Sequence, residues 1–135
     1  MSTPSAVVAG FITEVWNEAR FDRTPSYIDE RYELGDLGRG PKASAANARS
    51  FREIFPDLTV QILETVQQGT RVAAWMRLSG TQQEEFRGHP PSRRHATWDE
   101  VGFFTVEGDK IVAGRYLADM FSLRKALGII SATMQ

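Results

Sequence analysis

The 135-residue chain has no cysteine. That excludes a disulfide framework, a thiol nucleophile and a thiolate metal site. A surplus of one charge is missing as well. Sixteen Lys and Arg face seventeen Asp and Glu, for a net charge of -1. A nucleic-acid binder, which usually carries a basic surplus, is not expected from this balance. No apolar run approaches the roughly 20 residues of a membrane span, so no membrane partner is expected either. Residues 1–5 carry no positive charge ahead of the first apolar stretch, so they do not read as a secretory signal, and the expected location is the cytoplasm. Repeats, linkers and low-complexity tracts are absent. His89 and His95 lack ligand-spaced carboxylates, so no metal is expected. There is no Gly-x-Ser-x-Gly nucleophile motif. Gly35 to Lys42 is glycine-rich, but Pro41 breaks the spacing of a phosphate loop. Arg93-Arg94-His95 reads as a solvated strand end.

What is present fits a single domain over residues 1–135. Hydrophobic residues make up 41% and charged residues 24%, ordinary values for a globular protein. A chain this long buries roughly two thirds of its unfolded surface and needs no covalent staple. Thr3-Pro4 is a helix start, with threonine as cap and proline at the first helical position. Val8, Phe11, Ile12, Val15 and Ala19 follow at helical spacing, which predicts a helix from Pro4 to Arg20. Thr24-Pro25 repeats the start signal for a short helix to Asp29. A glycine-rich loop over 35–40 leads to a third helix opened by Pro41 and ended by Pro56.

The period then changes from helical to alternating. Leu58, Val60 and Ile62 predict a strand, and Gln68-Gly69 a turn. Val72, Ala74, Met76 and Leu78 form one face of a second strand. A third covers Arg94 to Val106. Glu107-Gly108-Asp109 is a hairpin turn before a last strand from Ile111 to Met120. A short helix runs from Phe121 to Gly128. Three helices followed by an antiparallel meander make an α+β fold, with helices packed on one face of a curved sheet. Such an arrangement leaves a pocket between the layers.

In the third strand Trp98, Glu100, Gly102 and Phe104 share a face, and in the last strand Gly114, Tyr116 and Ala118 do. The ordered motifs Trp16-Asn17, Tyr32, Gly40-Pro41-Lys42-Ala43 and Phe55-Pro56-Asp57-Leu58 continue in Ser79-Gly80-Thr81, Gly88-His89-Pro90-Pro91-Ser92, Asp109-Lys110-Ile111 and Leu127-Gly128. With these the chain resembles the SnoaL-like polyketide cyclases, a branch of the cone-shaped NTF2-like folds, from about Val8 to Gly128. The resemblance implies a cofactor-free protein that forms dimers or tetramers through its sheet and acts on polyketide or other natural-product small molecules. It also implies that Glu100 and Tyr116 face the concave side.

The family's acid/base aspartate on the last strand, and the histidine two residues before it, fall here on Tyr116 and Gly114. A glutamine and histidine on the preceding strand fall on Glu100 and Gly102, and a further histidine falls on Gln82. The two glycines are expected to open space beside the site. In an apolar pocket, a glutamate is pushed up toward neutral pH and can transfer protons. A tyrosine can donate to a developing oxyanion or protonate a leaving oxygen. Glu100 and Tyr116 are therefore the candidate catalytic residues for a cyclase or isomerase. Trp16, Asn47, Met76, Trp98 and Phe104 are the candidate substrate-binding residues. The alternative is a ligand-binding module of the same fold without chemistry. A third reading, an epoxide hydrolase, requires Asp99 and Arg115 inside the cone, and their strand parity is wrong. Asp119 is expected to be structural, pairing with Arg115 or Arg77. Trp75, flanked by Arg71 and Arg77, suits a subunit interface.

Overall fold

The computed structural model describes residues 2–130. Thr3 caps the first helix as its sequence predicts, its hydroxyl accepting the Ala6 N–H at 3.2 Å. The α-helix α1 covers only Pro4–Phe11. The helix expected to reach Arg20 changes pitch, and Ile12–Asn17 is a π-helical turn. The cause lies outside the segment. Asn17 donates its amide to the Val60 carbonyl at 2.8 Å and accepts the Val60 N–H at 2.7 Å. Arg52 donates to the carbonyls of Trp16 and Asn17. The turn's last carbonyls are thus satisfied from a neighbouring helix, and no further α-turn is needed. Ala19, at a φ of 56°, completes the break.

The helix expected from Thr24 to Asp29 is instead a 3₁₀ turn over Phe21–Ser26, with Pro25 inside it. Tyr32 lies outside the four strands and is buried. A second 3₁₀ turn, Gly35–Leu37, precedes α2, Gly40–Ile54. The meander then follows as β1 (Thr59–Gln68), β2 (Arg71–Thr81), β3 (His95–Glu107) and β4 (Lys110–Ala118). These make one antiparallel sheet in the order β1-β2-β3-β4. Register shifts that leave Leu63 of β1 and Val112 of β4 as extra residues are irregularities of the kind that bend a sheet.

The last strand stops at Ala118, two residues short of expectation, because Asp119 caps α3, Met120–Ala126. Its carboxylate accepts the Ser122 N–H at 3.1 Å and the Ser122 hydroxyl at 2.6 Å. Asp119 is therefore structural as expected, but its partner is Ser122 and neither arginine. Arg77 is taken by Asp99, at 2.8 Å.

The core forms where the helices meet the concave sheet face. Val8, Phe11 and Val15 pack toward Val72, Ala74, Met76, Trp98 and Phe104, all buried. The other sheet face carries Trp75, Asp99 and Phe103 outward, as alternation requires. The fold is the expected α+β cone.

Candidate active site

Glu100 sits mid-way along β3, facing the helices, opposite Met76 on β2 and Ala118 on β4. Tyr116 is on β4, opposite Gly102. The two are diagonal neighbours on the concave face. Together with Asn47 and Phe51 of α2 they stand at the border of two spaces. An inner recess of about 60 Å³ is lined by Ile12, Trp16, Val60, Met76 and Leu78 in addition to those four. An outer cleft of about 500 Å³ adds Tyr32, Trp98, Arg87 and Met120, among others. The latter size suits a drug-sized molecule.

Six of the seven residues singled out from sequence line these spaces. Trp16 is carried into the inner recess by the π-helical turn and packs on Phe51 at 5.7 Å between ring centroids. Asn47 lines both spaces, and its amide makes no hydrogen bond among the described residues. Met76 floors the recess, and Trp98 walls the cleft. Phe104 is the exception. It is buried in the core and lines neither space. Its ring supports Tyr116 edge-on from behind, 5.5 Å between centroids.

The glycines do not open space either. A Cβ on Gly102 would lie 2.6 Å from the Phe104 ring, and one on Gly114 would lie 2.8 Å from the Tyr32 hydroxyl. Aromatic rings fill both vacancies. Tyr32 is the residue that sequence reasoning missed. Its hydroxyl lies 2.7 Å from that of Tyr116. Tyr32 is 1% exposed, and its hydroxyl has no other partner among the described residues. If Tyr116 donated to it, the Tyr32 proton would be buried without an acceptor, which is costly. The satisfied arrangement has Tyr32 donating to Tyr116 and leaves the Tyr116 proton for the cleft. Tyr116 keeps 40% of its surface open toward that cleft.

The electrostatics follow from burial. Loss of water pushes the Glu100 carboxyl above the usual glutamate range, and the field of Arg87 partly offsets this. Glu100 makes no hydrogen bond or ion pair among the described residues. The atoms packed around its hydroxyl desolvate the Tyr116 phenol and drive it well above its ordinary value, and the Glu100 charge pushes it the same way. Burial also raises Tyr32. Both phenols are therefore protonated donors at neutral pH. The site holds a partnerless carboxylate beside a directed phenolic proton.

Gln82, where the family resemblance places a histidine, belongs to the scaffold. It is fully buried. Its amide donates to the carbonyls of Glu84, His89 and Pro90 at 3.0 to 3.4 Å and accepts the Ser92 N–H at 3.0 Å. It thereby shapes the loop that carries Arg87. Asp99 lies on the opposite face of the sheet, as its parity predicts, held by Arg77 and by the Trp75 indole at 2.9 Å, and it lines neither the recess nor the cleft. No cluster of His, Asp or Glu that could hold a metal exists among the described residues. No described helix is long and apolar enough to cross a membrane.

A curved antiparallel sheet closed by helices over a pocketed concave face defines the NTF2-like class. Solved structures agree. TsrD from Streptomyces laurentii superposes with a TM-score of 0.86 at 20% identity, covering 93% of this chain and 95% of its own. A SnoaL-like polyketide cyclase from Agrobacterium tumefaciens gives 0.84 at 22%, covering 95% and 100%. IdmH from Streptomyces antibioticus gives 0.80 at 24%, covering 94% and 99%. No curated protein matches the chain. The SnoaL-like polyketide cyclase family pattern matches residues 6–127, and the chain belongs to that family.

Proposed function

We propose that this protein is a cofactor-independent enzyme, a cyclase or isomerase that moves a proton on a small oxygenated natural-product-like substrate. The observation that carries the reading is the Glu100 carboxylate, raised by burial and left without a protein partner at the border of recess and cleft. Glu100 takes a proton from the carbon beside a carbonyl. The electron pair moves onto the carbonyl oxygen, which receives the Tyr116 hydrogen bond as charge develops. Tyr32, behind Tyr116, keeps that donor aimed. Protonated Glu100 then returns the proton at another position of the enolate, or to the oxygen formed when the enolate carbon closes a ring. General acid/base help of this kind is worth about 10²–10⁴-fold.

The test is hydrogen exchange. An aromatic β-ketoester incubated with the protein in D₂O should exchange its α-proton faster than in buffer, and Glu100→Gln should abolish the gain while keeping the fold. Exchange by that variant at the wild-type rate refutes the assignment. A ligand-binding module without chemistry is the second reading. Its support is that position 116 holds a tyrosine where the resemblance places the family's aspartate. It predicts saturable binding of the ketoester with no exchange.

The expected homo-oligomer also has a surface to use. The outer sheet face exposes Val66, Trp75, Phe103 and Leu117. The register sets Trp75, Val101 and Leu117 in one row and Val66, Ala73 and Phe103 in the next. A patch of this kind suits a second copy. Sedimentation of a Leu117→Glu variant as a monomer, beside a dimeric or tetrameric wild type, is the expected result.

A further inference from the structure

Arg87 is not among the residues assigned to the proton transfer, although its field acts on Glu100. It sits in the loop shaped by Gln82, at a φ of 49°. Its guanidinium lies over the Phe86 ring, 5.2 Å from the centroid, with Nη1 3.6 Å from the Met120 sulfur. These contacts hold the group at the rim of the outer cleft. They leave its N–H donors without an oxygen partner among the described residues. An arginine fork that faces a cleft with its N–H groups free of oxygen partners is matched to a flat, two-oxygen anion.

We propose that the ligand is an apolar ring compound bearing a carboxylate, and that Arg87 receives this carboxylate at the cleft rim while the rings lie toward Trp98 and Phe51. The inference rests on the reading of the cleft as a small-molecule site. The other charged residues lining the cleft are Glu33, Glu100 and Arg115. Glu33 is engaged by Arg39. Arg115 stands opposite Phe103 in the register, and so belongs to the outer face of the sheet. Of the two arginines lining the cleft, Arg87 is the one whose field reaches Glu100, and a dianion such as phosphate would be repelled by that unpaired carboxylate. A monoanion carries less of that repulsion. Arg87 and Glu100 both line the cleft and form no ion pair with each other among the described residues.

The probes are naphthoate and methyl naphthoate, compared by equilibrium dialysis at low salt. The ester is the more apolar of the two, so a preference for the acid cannot come from burial alone. The wild type should bind the acid about tenfold more tightly, and Arg87→Gln should bring the ratio to about one while leaving ester binding unchanged. Arg87→Lys should keep part of the preference, and added salt should reduce it. Equal binding of acid and ester by the wild type, uptake of neither, or an unaltered ratio in Arg87→Gln overturns the proposal. An unaltered ratio would mean that Arg87 acts on Glu100 alone. The result is separable from the fate of the catalytic reading. The ratio is read without turnover, and Glu100→Gln should not lower it.

Discussion

Asn17 offers the sharpest test of how the site is built. Its amide substitutes for a strand partner, giving one bond to the Val60 N–H and one to the Val60 carbonyl, at 2.7 and 2.8 Å. Both bonds are partly buried, and they join the π-helical turn to the first residues of β1. Asn17→Ala leaves two backbone groups without partners. At roughly 1–2 kcal/mol for each such group, the expected loss is about 3 kcal/mol. An unfolding entropy of about 2.1 cal/mol/K per residue gives ~0.28 kcal/mol/K for 135 residues. The melting temperature should therefore fall by about 10 °C. Asn17→Asp keeps the acceptor for the Val60 N–H but sets a carboxylate oxygen against the Val60 carbonyl, so it should fall at least as far. Thermal unfolding followed by circular dichroism reads both. A fall of less than about 2 °C in the alanine variant would refute the claim that this clamp holds the turn.

Three further outcomes follow from the same packing. Gly114→Ala puts a methyl 2.8 Å from the Tyr32 hydroxyl. It should cost about 1–3 kcal/mol in urea unfolding and lower α-proton exchange by displacing the Tyr32–Tyr116 pair. Glu100→Gln should be more stable than wild type at neutral pH. The folded carboxyl holds its proton above the ordinary value of 4.5, so wild-type stability is full below that value and falls as pH rises through the folded one. The gap between the two proteins should open across that window and close near about pH 4. Identical stability profiles from pH 4 to 8, in round values, would show that Glu100 is not desolvated. Gln82→Ala removes four hydrogen bonds from the loop over Glu84–Ser92. Trypsin should cut after Arg87 sooner than in wild type, and equal cleavage rates would remove Gln82 from its proposed role.

The meander was legible in the sequence because its signal is local. Alternation from Val72 to Leu78 and from Trp98 to Phe104 fixes which side chains turn inward, and the hairpin turns bound each strand. Glu100 and Tyr116 follow from that parity once a concave side is assigned. The pitch change at Ile12 was not legible. It depends on Asn17 and Arg52 meeting backbone groups far along the chain, and helical spacing carries no trace of either contact. The end of β4 turned on a competition between continuing the strand and capping α3, which Asp119 decides with Ser122. Tyr32 escaped because it approaches from 84 residues away. A glycine in a strand is an available signal of such an approach, since it marks where another group comes close. At Gly114 that group is Tyr32, and at Gly102 it is the ring of Phe104.

Set against the aspartate and histidine that the family resemblance places on β4, the proposed site is distributed differently. With aspartate and histidine on β4, acid and base would both come from the last strand. Here the carboxylate stands on β3, the donor on β4, and the group that aims the donor on the segment after the first 3₁₀ turn. Two glycines make this possible, because any side chain at 114 would occupy the place of the Tyr32 hydroxyl, and any at 102 that of the Phe104 ring. The positions are therefore coupled in packing, 114 with Tyr32 and 102 with Phe104. A return of aspartate to position 116 alone would lose the phenol that Tyr32 holds and place a second carboxylate near Glu100. Like charges disfavour one another's ionisation, so one of the two carboxyls would stay protonated at neutral pH. Tyr116→Asp should thus abolish exchange rather than restore an aspartate-based cyclase. Regained or increased exchange in that variant would mean that Glu100 and Tyr116 do not act as a pair.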